Sequence, residues 1–388
     1  MSTAAKAHGL DGTLVEPDWA PLSQDEVCFV LARFKELRPP FEIVSISPRP
    51  LSAASVIQTQ DRRVFVKRHA RLIRDAEGLH EEHRFMAHLR AHGAAAPVVL
   101  GDEAGETVIE SGDWTYEVHA TPCGVDAYED AISWTPFRSE AHANSTGQML
   151  ARLHLAAQGY DAPRRVTRPL VAGFTIFASE NPAAELDRFV ARRPALRKYV
   201  EQNGCATEAL DLLAPFHAEL LPLLTKLPGL WTHNDLHASN LFWTGVREDA
   251  QATAVIDFGL CDRTNAVHDL AHAIERNVVE WLVLVNDPMR PERVPVHVDH
   301  LWTLLDGYES VRPLNAVEAA ALAPMLALCH AEFALSEADY FLSVLHSREK
   351  AHMACEGYLV SHAHWWRNAG ANLLHSLRAW AMARKVAA

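Results

Sequence analysis

The chain has 388 residues, 49% hydrophobic and 22% charged, with 36 Lys plus Arg against 49 Asp plus Glu for a formal charge of -13. That length calls for two lobes or domains rather than one small core. The composition excludes a disordered or fibrous chain, and the acidic balance excludes broad electrostatic binding to nucleic acid or to an anionic membrane. Cys28, Cys123, Cys205, Cys261, Cys329 and Cys355 are scattered without a CxxC pair, which reads as buried thiols in a reducing compartment. With no apolar segment behind a basic start and no long uncharged apolar run, the expected location is the cytoplasm, away from the membrane.

In chain order, residues 1–40 form a polar extension and a helix, since "SQDEVCFVLARFKEL" opens with Ser and an acidic first turn before apolar residues at helical spacing. "FEIVSIS" and "ASVIQTQDRRVFVKRHA" predict an antiparallel meander of three strands, broken at "QDRR". "DAEGLHEEHRFMAHLRAHG" places Leu79, His83, Met86 and Leu89 on one helical face and stops at Gly93. Two more strands follow before residue 122, so residues 41–121 make a β-rich lobe with one long helix. Residues 122–388 are read as a larger helical lobe, interrupted over 229–260 by a loop and a buried hairpin. The fold class is α+β.

The stretch "LWTHNDLHASNLFW" carries His233, Asp235, His237 and Asn240. A polar loop satisfying its own backbone is one reading. A second is a metal-dependent hydrolase, because positions 233, 235 and 237 of an extended segment share a face and His-x-Asp-x-His can grip a transition metal. In the third, Asp235 accepts the proton of a hydroxyl and Asn240 turns back toward magnesium, which is the D-x-x-x-x-N spacing of a kinase catalytic loop. This third reading needs a second magnesium carboxylate, and Asp257 supplies it at the end of the apolar run in "AVIDFGL". It also needs a cation for nucleotide phosphates; Lys67 in "VFVKRHA" supplies that, with Glu82 on the following helix, beside Glu81, placed to orient it.

The blocks "VFVKRH", "EEHRFMAHLRAHGAAAPVV", "TGQMLARLHLA", "HNDLHASNLFW", "VIDFGLCDRTNAVHDLAHAIE" and "LLDGYESVRPLNAVEAAAL", reaching from about residue 64 to 322, resemble in order those of the aminoglycoside phosphotransferase and choline kinase group, relatives of protein kinases. The resemblance implies a bilobal protein-kinase-like fold that moves the γ-phosphate of ATP or GTP, with magnesium, onto a small hydroxylated acceptor. It makes Asp235 the catalytic base, with His233 supporting its loop and Asp269 bracing it. It makes Asn240 and Asp257 the magnesium ligands, pairs Lys67 with Glu82 over the α- and β-phosphates, and sets the base-binding hinge around His119, Ala120 and Thr121. The chain departs from protein kinases where they carry a glycine-rich loop: it has "SPRPLSAAS", whose small residues Ser52 to Ser55 still let backbone amides approach phosphate.

The resemblance assigns the acceptor to the helical lobe. In "HAEFALSEADYFL", Glu332 and Asp339 lie seven apart and share a helical face, with Glu337 pointing elsewhere and Tyr340 following. Glu332, Asp339 and Tyr340, with Glu275 and His237, are the candidate acceptor residues. Acidic walls suit an aminoglycoside or another amine, and aromatic ones, such as Trp365 and Trp366, suit a sugar or nucleoside. An antibiotic, an amino-sugar, a choline-like amine and a nucleoside all remain open, as do a protein acceptor of the bacterial stress-kinase type, a hydrolase using His233, Asp235 and His237, and a non-catalytic nucleotide sensor.

Overall fold

In the computed structural model of the chain, which describes residues 6–165 and 169–387, the first element is one that the sequence pattern does not announce: a short antiparallel hairpin of β1 (Ala7–His8) and β2 (Leu14–Val15). Ser23 then caps α1 (Gln24–Leu31) through a capping box with Glu26, as its sequence predicts. The expected meander forms from β3 (Glu42–Ile46), β4 (Ala53–Gln58) and β5 (Arg63–Ala70). Asp75 caps α2 (Ala76–Ala91), which ends before Gly93 at φ +82°. β6 (Ile109–Ser111) and β7 (Trp114–Ala120) complete a five-stranded antiparallel sheet ordered β3-β4-β5-β7-β6.

Alternation gives the sheet two different faces. Ile57, Val64, Val66 and Val118 pack with Val27, Val30, Leu31 and Phe34 around α1 as a small apolar core. The opposite face carries polar groups, with Lys67 beside Ala54 on one side and Glu117 on the other. The apolar side of α2, through Phe85, Met86 and Leu89, belongs instead to the large core of the helical part.

The helical part begins with α3 (Glu140–Ala156), α4 (Pro182–Ala191), α5 (Pro194–Asn203) and α6 (Cys205–Leu224). β8 (Gly229–Thr232), β9 (Leu241–Trp243), β10 (Ala252–Val255) and β11 (Asp262–Asn265) follow; β9 pairs with β10 and β8 with β11, so two small ladders frame the segment between them. Then come α7 (Ala266–Val278), α8 (Trp281–Asn286), α9 (Val298–Val311), α10 (Ala316–Leu328), α11 (Ala331–Ser343) and α12 (Arg348–His352). A π-helical stretch, Met353–Val360, leads into α13 (Ser361–Arg367) and α14 (Ala371–Ala387).

The backbones of α3 and α9 approach closely because glycines face each other's chains. A Cβ on Gly147 would stand 2.0 Å from the Leu304 carbonyl oxygen, and one on Gly307 would stand 2.1 Å from that of Asn144. The segment Ala316–Ser343, despite its acidic residues, has the length and mean hydropathy of a membrane span, but 94% of its most apolar window is buried inside the protein, which accounts for its composition as core packing. Four cysteines are buried as expected, whereas Cys28 and Cys123 are exposed.

Candidate active site

The segment between β8 and β9 is held by its own backbone bonds and by α7. Asn234 takes φ +61°, a conformation that asparagine tolerates, and its amide donates to Asp269 Oδ1 at 2.7 Å while that of His233 donates to Oδ2 at 2.9 Å. Burial pushes the Asp269 carboxyl up, but the His154 hydrogen bond and these backbone contacts outweigh it and hold it at about 2. His154 Nε2 donates to Asp269 at 3.0 Å and its Nδ1 accepts from the Tyr308 hydroxyl at 2.7 Å, carrying the brace into α3 and α9. Asn277 adds a clamp that sequence reasoning missed: its Oδ1 accepts from the Ala238 amide at 2.9 Å and its Nδ2 donates to the Leu236 carbonyl at 3.0 Å.

His233 donates from Nε2 to the Ile256 carbonyl at 2.9 Å and accepts at Nδ1 from the Asp235 amide at 3.2 Å. With both nitrogens engaged by backbone, it is not a metal ligand, and the His-x-Asp-x-His hydrolase loses its first donor. Asn240 donates from Nδ2 to the Asp235 carbonyl at 2.9 Å, which turns the amide nitrogen toward the loop. Asp257, at φ +60°, and Asn240 face the same cleft as Asp235. The donor set of one carboxylate and one amide oxygen, beside open space for phosphate oxygens, fits magnesium.

Lys67 Nζ donates to Asp257 Oδ1 at 2.9 Å. Burial opposes its charge, but Asp257 and then Glu117 outweigh that and keep the ammonium protonated; the same lysine holds the Asp257 carboxyl well below its usual range. The expected Lys67–Glu82 pair is absent. Glu82 is bound instead by Arg74 Nε at 2.8 Å and Arg165 Nη2 at 2.6 Å, and both arginines also donate to the Gly259 carbonyl. Two buried guanidiniums outcompete one ammonium for that carboxylate, and Glu82 becomes the tie between α2 and the turn after Asp257. The acid standing across the sheet from Lys67 is Glu117, which accepts from His69 Nε2 at 3.0 Å, His83 Nε2 at 2.8 Å and His119 Nε2 at 2.8 Å.

One cleft of about 1120 Å³, its open mouth included, is lined by Ser52, Lys67, Asp235, His237, Asn240 and Asp257 together with groups that sequence reasoning missed, among them Arg49 and Glu337. Arg49 Nη1 reaches across to the Ala131 carbonyl at 3.1 Å and the Ser133 hydroxyl at 3.0 Å. Ser55 corrects the expectation: strand alternation turns it with Ala53 and Ile57 toward the apolar face, where its hydroxyl is buried. His119 and Thr121 are not among the lining residues, and the Ala120 amide between them is donated to Val98 at 2.9 Å. Burial, then the charge of Arg49, lowers His237 to about 3, so it stands neutral at the cleft.

On the acceptor side it is the face of α11 carrying Glu337, and not the one carrying Glu332 and Asp339, that lines the cleft. Glu337 lines the cleft with Trp134, Phe333 and Tyr358, and its Oε2 has no hydrogen-bond partner among the described residues. Glu332 is buried against the amides of Thr175 and Ile176. Asp339 faces Arg193 at 3.6 Å, and the Tyr340 hydroxyl accepts from Trp19 Nε1 at 3.0 Å. Glu275 lies fully buried beneath the cleft. Seven-residue spacing correctly puts Glu332 and Asp339 on one face, but that face packs into the protein. Arg276, fully buried on α7, contacts the Asp235 carboxylate and stacks near Trp134 and Phe333 at 5.3 and 5.0 Å.

The profile of the phosphotransferase enzyme family matches residues 51–314. Homoserine kinase of Methylobacterium radiotolerans is 27% identical over 237 residues, 61% of this chain and 61% of that one. Homoserine kinase of Phenylobacterium zucineum is 26% identical over 309 residues, 80% of this chain and 82% of that one. The chain thus spans about three fifths, 61%, of the first relative's length. Among solved structures, a microcompartment-associated aminopropanol kinase superposes with TM-score 0.57 at 18% identity, covering 92% of this chain and 99% of that one. An amicoumacin kinase bound to AMP-PNP and Ca2+ gives 0.56 at 13%, covering 88% and 94%. These likenesses show the bilobal kinase-like fold, and the matched profile, spanning strand lysine, catalytic loop and the α7 brace, shows that the chain belongs to the phosphotransferase enzyme family.

Proposed function

We propose that the protein transfers the γ-phosphoryl group of ATP to a hydroxyl of a small amine-bearing alcohol. The observation that carries this reading is one cleft with Asp235, Asn240, Asp257 and Lys67 on one side and, among aromatic walls on the other, the carboxyl of Glu337, whose Oε2 has no hydrogen-bond partner among the described residues. Asp235 accepts the hydroxyl proton as the acceptor oxygen bonds to the γ-phosphorus and the bond to the β-phosphate oxygen breaks, releasing ADP. Arg276 fixes that carboxylate from behind. Lys67, and Arg49 in the glycine-poor loop, face the cleft as the cations for the phosphates. Asn240 and Asp257 would hold magnesium, which supplies charge neutralisation for the phosphates.

ATP is preferred to GTP in this reading because the amicoumacin kinase of the same fold is bound to AMP-PNP. The amine is preferred because Glu337 offers an acceptor for an ammonium, with Trp134, Phe333 and Tyr358 for cation–π contact. The homoserine and aminopropanol kinases are named for acceptors that carry both amine and hydroxyl, and amino-sugar antibiotics share that pairing. A panel of amino alcohols, hydroxy-amino acids, amino-sugar antibiotics, nucleosides and uncharged diols, incubated with ATP and magnesium and read by product mass, tests it. Addition of one phosphoryl group in an amine-bearing arm is expected; phosphorylation confined to the uncharged or nucleoside arms contradicts it.

A further inference from the structure

Beneath the catalytic loop, Glu275 of α7, His330 just before α11, and His362 of α13 converge in the interior. All three are buried, and among the described residues neither Glu275 oxygen nor any of the four imidazole nitrogens has a hydrogen-bond partner. So many unmet polar atoms in one place are costly unless something satisfies them. The geometry points away from hydrogen bonds: Glu275 Oε1 stands 3.4 Å from His330 Nδ1 and 3.7 Å from His362 Nδ1, beyond the usual hydrogen-bond distance of about 2.7–3.2 Å. Donor atoms around a tetrahedral ion with bonds of about 2.0–2.1 Å stand about 3.3 Å apart.

We propose that Glu275, His330 and His362 bind one zinc ion, in a site distinct from the nucleotide cleft. Two imidazoles and a carboxylate suit a borderline metal and not magnesium or calcium, which prefer all-oxygen shells. Three protein ligands leave a fourth position for water. Stacking of His362 on Trp281, at 3.7 Å between ring centroids and 23° between planes, fixes one ligand's orientation. On the same helix, the Arg276 Nε stands 3.8 Å from Glu275 Oε2, so the carboxylate faces both the proposed ion and the guanidinium that contacts Asp235. Because Arg276 follows Glu275 directly and contacts Asp235, an ion tying α7 to His330 and α13 would position the arginine behind the proposed base.

The test is zinc content of the full chain, produced without a metal-affinity tag and exchanged into buffer with excess magnesium. About one zinc per chain is expected, falling below about a tenth in Glu275→Gln and His362→Asn and staying near one in His237→Ala. Protein grown with cobalt should show visible ligand-field bands that vanish in His362→Asn. Where those variants fail to fold, the wild type decides, with stoichiometric zinc and a thermal midpoint lowered by a zinc chelator and restored by zinc. Wild-type protein without transition metal and indifferent to chelator overturns the proposal, as does zinc retained undiminished in both folded ligand variants.

Discussion

Glu337 has a carboxyl pushed up to about 8 by burial, against the opposing charge of Arg276. With its pKa raised from 4.5, it is protonated in the fold where the unfolded chain has released its proton. Its contribution to stability is therefore full below about pH 4.5 and lost as the pH rises toward 8. Glu337→Gln is expected to flatten that loss in denaturation midpoints measured between pH 5 and 8. The same ionisation governs recognition of an ammonium: kcat/KM for an amine-bearing acceptor should rise with pH through about 8 in the wild type, and the rise should disappear in Glu337→Gln. A profile unchanged by the substitution would remove Glu337 from acceptor binding. Sequence reasoning could nominate Asp235, Asn240, Asp257 and Lys67 because their chemistry is encoded in spacing along single segments. Glu337, Arg276 and Glu117 were not legible, because each depends on which helix face packs inward or which strand lies opposite, and neither is written locally.

Among the elements, α2 is tied to the turn after Asp257 through Glu82, shared by Arg74 and Arg165. Arg165→Met leaves a buried carboxylate with one partner fewer and should cost about 3 kcal/mol of stability by chemical denaturation; a loss within about 0.5 kcal/mol would show the tie to be incidental. At the crossing of α3 and α9, Gly147→Ala would drive a Cβ to within 2.0 Å of a backbone oxygen. It should destabilise by about 2 kcal/mol or more, and a neutral effect would mean the helices can part. The capped helices α1 and α2 and the strands β3 to β5 were readable because caps and alternation are local signals. The β1–β2 hairpin escaped because two-residue strands carry no periodicity, and the β8–β11 pairing because its strands are separated by the whole catalytic segment.

At the scale of the molecule, the β-rich part presents Lys67 and Arg49 to a cleft whose other wall, with Asp235 and Glu337, comes from the helical part. Nucleotide with magnesium should therefore raise the thermal midpoint in proportion to the logarithm of its concentration, and Asp257→Ala should abolish that magnesium-dependent shift. The resemblance read from six blocks in order reached this architecture without the structure, because the motifs that carry it are spread along the chain in a fixed succession. The acceptor was not reachable the same way, since the proposed walls are assembled from Trp134 ahead of α3, from Phe333 and Glu337 of α11, and from the π-helical stretch that contributes Tyr358. The most direct measurement compares wild type with Asp235→Asn for ATP- and magnesium-dependent phosphorylation of the amine-bearing acceptor that the panel selects, read by product mass, alongside nucleotide binding by titration. The expected result is phosphorylated acceptor from the wild type and turnover lower by about a thousand-fold in Asp235→Asn with nucleotide affinity retained. Equal turnover by the two proteins, or no phosphorylated product from the wild type in any arm, would contradict the account.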